Sequence, residues 1–355
     1  MKRNGSAGYH RQMLRNFSSY RQEKEAGGQD PNGKLRRALE LIHPFITAKD
    51  NREQDQPRSQ VIILVTTICN QHCPFCQAHC TSTEQGPELT RLLQAAERIS
   101  TMLPGARVIV TGGEPTLRDD LPQLVEQLLA LQGIAELEIQ TNAVAIGRQP
   151  QRLQLPPHEK LRFVVGMHGF TEKVYNRCTG SRGMFQDALS GTRHLLQHGH
   201  RVELNCVIST LNLDQLQRGL PDLPALFGSP SPVLHFSVMG IPHHLEACRL
   251  LVRFSDLLPL LSRLWKMASA RGIELQATLS AHHMAVPPCL TLPNEPPAVD
   301  TIHLYEHENF SPGLRDDDWW VKGPACSRCR LQDSCLGLPH LYAEQFGFDE
   351  LVPLR

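Results

Sequence analysis

Three cysteines, Cys69, Cys73 and Cys76, stand in one short C-x3-C-x2-C run directly behind the apolar, β-branched stretch 61–66. Three thiolates at that spacing can wrap a cubane iron–sulfur cluster from a single loop and leave one iron without a protein ligand. Cluster irons take thiolates, and their potentials reach down to about −700 mV. An iron with an open position is a place where a small molecule can be chelated and reduced. Cys80 extends the run to four thiols, which opens the alternative of a zinc knuckle. Zinc thiolates usually come as two separated C-x2-C pairs, so the compact run favours the cluster. A second group, Cys326, Cys329 and Cys335, is spaced C-x2-C-x5-C, and Cys289 in Pro287-Pro-Cys-Leu290 is available as its fourth ligand.

A further motif, Thr111-Gly-Gly-Glu-Pro-Thr-Leu-Arg118, follows the next β-branched run. Its glycines permit positive φ and close backbone approach, and the Glu114 carboxylate can accept hydrogen bonds from an ammonium group. A cysteine motif of this spacing, with GGE one βα unit later, resembles the radical S-adenosylmethionine (SAM) superfamily. The resemblance implies a 4Fe–4S cluster on Cys69, Cys73 and Cys76, whose open iron binds the amino and carboxylate groups of SAM. Reduction would then cleave SAM to a 5′-deoxyadenosyl radical that takes hydrogen from a substrate. It also implies that Phe75 lies near the adenine and that Gly112, Gly113 and Glu114 meet the SAM amino group. Thr141 and Asn142 supply a polar pair near SAM, and Arg182, with Arg177 as the other candidate, reaches its carboxylate. Asn205 matches a SAM-contacting position, with a satisfied core amide as the alternative. His168, at a strand end, either touches substrate or caps its turn. Cys326, Cys329 and Cys335 resemble the core of the SPASM and twitch extensions, which implies a second 4Fe–4S cluster closed by Cys289. No cysteine follows Cys335, which favours the twitch-like form. A structural zinc site on the same four thiols is the competing reading. A reductant such as flavodoxin or ferredoxin is implied as electron donor.

The elements that must position these residues alternate. Strand-like runs fall at 61–66, 107–111, 137–140, 162–167, 201–208 and 233–238, and helical patterns at 89–102, 120–131, 184–197, 213–226 and 254–271. The link 140–162 shows little helical pattern, and 167–185 reads as a loop. Six βα-type units in a row imply an α/β fold with a parallel sheet and right-handed crossovers. The expected architecture is a partial (β/α)6 TIM-like barrel with an irregular, cysteine-bearing C-terminal extension. Its site belongs at the C-terminal ends of the strands. The boundaries expected are 1–60 for a flexible tail and leading helix, 61–280 for the radical SAM partial barrel, and 281–355 for the extension. Residues 282–325 are proline-rich and lack periodicity. His282, His283, Trp319 and Trp320 read as surface or packing residues near the second cysteine group.

The 355 residues carry 36 basic and 36 acidic side chains. That balance gives no electrostatic reason for nucleic acid or a membrane surface as the main partner. The longest strongly apolar run, 61–65, is far short of the roughly 20 residues that span a bilayer. No apolar h-region opens the chain, so the cytoplasm is expected. Cys178, Cys206 and Cys248 read as small core residues. The expected partner is a small-molecule or peptide substrate of unidentified structure. Three alternatives stay open. The GGEP-x-L-R wording resembles the molybdopterin-precursor enzyme, although that family ends in Gly-Gly and this chain in Val-Pro-Leu-Arg. Residues 1–60 hold 12 basic against 7 acidic side chains, which would suit an RNA-modifying relative. A non-catalytic zinc- or cluster-binding regulator is the third.

Overall fold

The computed structural model describes residues 59–77, 80, 86–228, 231–240, 245–278, 280–281, 284–290, 301–306, 309–312 and 320–354. The expected tail and leading helix before residue 59 lie outside the described residues, as do His282, His283 and Trp319. Seven strands run parallel in sequence order: β1 (Ser59–Thr66), β2 (Ala106–Gly112), β3 (Ile134–Thr141), β4 (Leu161–Gly166), β5 (Arg201–Ile208), β6 (Val233–Val238) and β7 (Leu275–Thr278). The helices between them are α1 (Leu89–Met102), α2 (Leu121–Ala130), α3 (Val144–Arg148), α4 (Glu172–Thr179), α5 (Phe185–Gln197), α6 (Leu216–Gly219), α7 (Leu223–Phe227) and α8 (Phe254–Ser269).

Strand side chains alternate between the two faces of a sheet, and here the two faces differ in chemistry. The helix-covered face is apolar: Val61, Ile63 and Val65 of β1, Phe163 and Val165 of β4, and Leu204 and Cys206 of β5 are all buried. Against them lie the apolar sides of the helices, such as Leu92, Ala95 and Ile99 of α1 and Leu257, Leu258 and Leu261 of α8. Burying one such leucine or valine contributes roughly 1.5–3 kcal/mol. The opposite, concave face carries polar and charged side chains from β2 onward, Arg107, Glu138, Arg162, Glu203 and His235 among them, with Ile109, Val164 and Val207 between. Cys178, Cys206 and Cys248 are buried in the core, as expected.

Four features depart from the sequence reading. A seventh strand, β7, pairs with β6 through Leu234↔Leu275 to Ser237↔Thr278. The expected loop 167–185 contains α4, which begins at Thr171, whose Oγ1 accepts from Val174 N at 3.5 Å, and ends at Gly180 in the left-handed conformation (φ +59°). The link 140–162 holds the short α3. The expected helix 213–226 is interrupted, because Pro221 and Pro224 offer no N–H to the preceding turns, and the chain breaks into α6, a 3-10 turn and α7.

The extension is less irregular than its prolines suggest. After a small hairpin, β8 (Ser280–Ala281) with β9 (Met284–Ala285), strand β10 (Thr301–Glu306) returns to the sheet and pairs parallel with β1. Strand β11 (Asn309–Pro312) adds an antiparallel edge to it. The run Thr-Ile-His-Leu-Tyr-Glu is a strand sequence inside a proline-rich stretch, so composition concealed it. Beyond, β12 (Trp320–Val321) pairs with β13 (Leu338–Pro339), and α9 (His340–Phe346) packs on α8. Tyr342 stacks on Phe254 at 4.2 Å between ring centroids, accepts a hydrogen bond from Phe254 N at 2.7 Å, and donates to Glu350. Glu350 also accepts from Ser255 N at 2.7 Å, at the N-terminus of α8, where a carboxylate complements the positive end of the helix dipole. Among the described residues no helix is long and apolar enough to cross a membrane.

Candidate active site

The first cysteine group leaves the C-terminal end of β1 as a loop tied down at both sides. Gln71 Nε2 donates to the Tyr175 hydroxyl at 2.7 Å in a buried contact, and His72 N donates to Thr179 O at 2.9 Å. Both anchors lie on α4, the helix that the sequence reading missed. Gly180 is required where α4 ends: a Cβ there would stand 2.3 Å from His72 O. On the other side, Gly113 N donates to Thr66 O and Glu114 N to Ile68 O, each at 2.7 Å. A Cβ on Gly112 would meet Thr66 O at 2.2 Å, and one on Gly113 would meet Ile68 O at 2.1 Å. In this chain the two glycines therefore seat the cysteine loop against β2.

Burial pushes the Cys73 thiol up. Cys69 is lowered, chiefly by a hydrogen bond with Cys80. Cys80, the fourth thiol, is raised by its bonds to Cys69 and Cys76, and its Sγ stands 3.8 Å from Cys76 Sγ. Among the described residues no three His, Cys, Asp or Glu side chains converge on the position of a single metal ion. The three motif thiols on one loop, braced by backbone bonds from β2 and α4, are a donor set that suits a cubane cluster, whose thiolates bind separate corners.

Glu114 is 1% exposed and links β2 to β3. Its Oε1 accepts from Thr116 N (3.0 Å), Thr116 Oγ1 (2.6 Å) and Thr141 Oγ1 (2.6 Å), and its Oε2 accepts from Asn142 N (2.6 Å). Burial pushes its carboxyl up against these four bonds. A carboxylate offers about four acceptor sites in two pairs, so room for another donor remains at Oε2. Asn142 reaches back to the cysteine loop, its Nδ2 donating to Asn70 Oδ1 at 2.6 Å, while its Oδ1 accepts from Val144 N at 3.0 Å. Between them Ala143 takes a left-handed conformation, φ +59°. Phe75 is buried and meets the His168 ring edge-on at 5.0 Å. His168 Nδ1 accepts from Val207 N at 3.2 Å, which leaves the proton on Nε2, and burial pulls its pKa down to about 4. The structure thus gathers Cys69, Cys73, Cys76, Phe75, Gly112, Gly113, Glu114, Thr141 and Asn142 around one loop. Asn205 lies across the concave face, its Oδ1 accepting from Ser237 Oγ at 2.9 Å. Arg182 is exposed, and Arg177 turns to the carbonyl of Leu211.

The concave face carries a polar network that the sequence reading left out apart from Asn205. Arg162 on β4 stands 3.2 Å from Glu136, in contact with Glu138, and 3.6 Å from Glu203. Arg107 pairs with Glu136 at 2.7 Å. His235 Nδ1 lies 2.7 Å from Glu203 Oε1, an ion-pair distance off the line of a hydrogen bond, and its Nε2 meets Thr278 Oγ1 at 2.6 Å. The signal was there: E-L-E-I-Q, V-E-L-N-C and L-H-F-S alternate polar with apolar. Parallel strands covered on both faces read as unbroken apolar runs, so this alternation marks a polar barrel interior.

The second cysteine group is also brought together. Cys289, Cys326, Cys329 and Cys335 line one cavity of about 410 Å³, its open mouth included, with Leu331 and Leu351 on its apolar wall. Burial pushes the Cys289 thiol up to about 12. Four thiols around a cavity suit a second cluster as a donor set.

An α/β partial barrel with a three-cysteine loop at the end of its first strand defines the radical SAM class of domain. Residues 63–217 match the family model described as the Radical SAM superfamily. The superfamily implies SAM and a 4Fe–4S cluster as cofactors. Among curated proteins, GTP 3',8-cyclase of Xanthomonas axonopodis pv. citri (strain 306) is 29% identical over 180 residues, covering 48% of this chain and 53% of that protein. A probable GTP 3',8-cyclase of Metallosphaera sedula is 25% identical over 165 residues, covering 46% and 51%. The chain therefore spans about half the length of the curated relatives it matches. Among solved structures, Streptococcus suis SuiB bound to S-adenosylmethionine superposes with a TM-score of 0.53 at 13% identity, over 98% of this chain and 87% of that one. Native anSMEcpe with bound AdoMet and a peptide gives 0.56 at 14% identity, over 82% and 96%. At these identities the likeness is one of fold.

Proposed function

We propose that this chain is a radical SAM enzyme that binds its catalytic 4Fe–4S cluster through Cys69, Cys73 and Cys76. The observation that carries the reading is the seating of that loop: β2, through Gly112, Gly113 and Glu114, and β3, through Asn142, both bond to it. When bound, the cluster and SAM supply a reducing electron and a 5′-deoxyadenosyl radical able to take hydrogen from an unactivated carbon. The chain's own residues bind and orient. Glu114 Oε2 offers an acceptor for an N–H of the SAM amino group, and Phe75 supplies an apolar face for the adenine. The concave network of Glu138, Arg162, Glu203 and His235 forms a hydrogen-bonding floor for a polar substrate, a small molecule or a peptide. Cys289, Cys326, Cys329 and Cys335 hold a second cluster in the extension 281–355, behind the barrel 61–280. A flavodoxin- or ferredoxin-type reductant supplies the electron.

The test is anaerobic reconstitution followed by reduction in the presence of SAM. Wild type should release 5′-deoxyadenosine, and the Cys69→Ala/Cys73→Ala/Cys76→Ala triple variant should release none. Release by the triple variant would refute the assignment. The curated relatives favour one specific second reading, a GTP 3',8-cyclase-like reaction on a purine nucleotide. GTP added to the same assay distinguishes it: consumption of GTP in step with 5′-deoxyadenosine supports a nucleotide substrate, and indifference to GTP excludes it.

A further inference from the structure

The cysteine loop holds one thiol more than the superfamily motif uses. Cys80 is half-buried, and its Sγ lies 3.8 Å from Cys76 Sγ. It is unlike the other spare cysteines, Cys178, Cys206 and Cys248, which are sealed in the apolar core. A cubane has four irons, each able to take one outward thiolate. Three ligands come from Cys69, Cys73 and Cys76, and a fourth thiol already in contact with Cys76 on the same loop is within reach of the remaining corner.

We infer that Cys80 is a displaceable fourth ligand of this cluster, holding the open iron until SAM replaces it. The inference rests on the proposed cluster at Cys69, Cys73 and Cys76. The step is a ligand exchange. The bond from Cys80 Sγ to iron breaks, bonds from the SAM amino nitrogen and carboxylate oxygen form, and the proton that the SAM ammonium gives up to free its lone pair ends on the departing thiolate. No electron moves. Two consequences follow. With all four corners held by cysteine, the iron that is otherwise labile to oxidation is retained. SAM must also compete with Cys80: a site open about a tenth of the time binds about tenfold more weakly than one always open.

The experiment compares the anaerobically reconstituted full-length chain with its Cys80→Ala and Cys80→Ser variants. Without SAM, each is titrated with ferricyanide and followed by electron paramagnetic resonance for the 3Fe–4S signal that marks loss of one iron. SAM affinity is measured by equilibrium dialysis with labelled SAM. Wild type should give little 3Fe–4S signal, and Cys80→Ala a strong one together with about tenfold tighter SAM binding. If the alanine variant takes up less iron than wild type, the serine variant, which keeps the size of the side chain, is read in its place. An equally strong 3Fe–4S signal in wild type, or unchanged SAM affinity in the variant, overturns the role of Cys80 and leaves the catalytic cluster standing. Wild-type iron content in the Cys69→Ala/Cys73→Ala/Cys76→Ala variant overturns both.

Discussion

At the scale of single residues, Glu114 and His168 show how burial sets chemistry. Glu114 satisfies donors from the 3-10 turn after β2 and from the end of β3, and still has Oε2 for a ligand. Its loss should therefore be felt in SAM binding before iron content, since the hydrogen bonds its carboxylate makes go to Thr116, Thr141 and Asn142 and not to a cysteine. A hydrogen bond to a charged group contributes roughly 1.5–3 kcal/mol, so Glu114→Ala should weaken SAM about ten- to a hundredfold by equilibrium binding while iron per chain stays constant. Unchanged affinity would remove Glu114 from the site. His168 is held neutral, with a pKa near 4 against an ordinary value of 6.5. Between these values the unfolded chain binds the extra proton, so stability rises with pH there. The stabilisation is complete above about 6.5 and lost as the pH falls towards about 4, by as much as about 3 kcal/mol. Glu114, raised by burial, pulls the other way, so the measurement is a comparison. His168→Gln should flatten the dependence of unfolding free energy on pH by about one proton in that window; an identical slope would show that His168 is not buried neutral.

At the scale of elements, the concave face sets the rule that each strand must carry an apolar and a polar side at once. Arg162 is the centre of that face, flanked by Glu136, Glu138 and Glu203 on neighbouring strands. Removing one partner of a poorly solvated ion network strands the others. Arg162→Met should thus destabilise the fold by about 3 kcal/mol in denaturant unfolding, and Arg162→Met combined with Glu138→Gln should recover part of the loss. No recovery in the double variant would mean that packing of the arginine stem, not its charge, matters. The positions of β1 to β6 were legible in the sequence because β-branched runs alternate with helical periods of ordinary length. α4 was not, because its eight residues carry a short pattern, and its signals are only Thr171 at the start and Gly180 at the end. The cysteine and GGE motifs were legible as spacing. What the glycines touch was not: the ligand-facing role expected of Gly112 and Gly113 is accompanied by close contact with Thr66 and Ile68, a fact of tertiary packing that no local pattern encodes. β10 stayed hidden inside a proline-rich stretch, and its pairing with β1, more than two hundred residues earlier, is not something local pattern encodes.

At the scale of the whole molecule, two cysteine sites are mounted on one sheet by different means. The first cysteine loop is held by backbone bonds to the turn after β2 and to α4. The second site is held at its far side by packing: Leu338, Leu341, Tyr342 and Leu351 are buried, and Glu350 bonds to Ser255 on α8. The segment that carries Cys326, Cys329 and Cys335 has no such core of its own, since most of residues 322–336 are partly or fully exposed around the cavity. Metal binding and local folding are coupled wherever the site cannot order itself alone. If the four thiols bind a cubane, the reconstituted chain should hold about eight irons and the Cys326→Ala/Cys329→Ala variant about four. Limited proteolysis of that variant should cut within 322–336, whereas α9, stacked on Phe254 through Tyr342, stays protected. The Cys69→Ala/Cys73→Ala/Cys76→Ala variant should keep its remaining iron and its visible absorbance. Zinc in that variant, with no iron and no colour, would make the second site a structural zinc. The thiols would then brace the extension without carrying electrons.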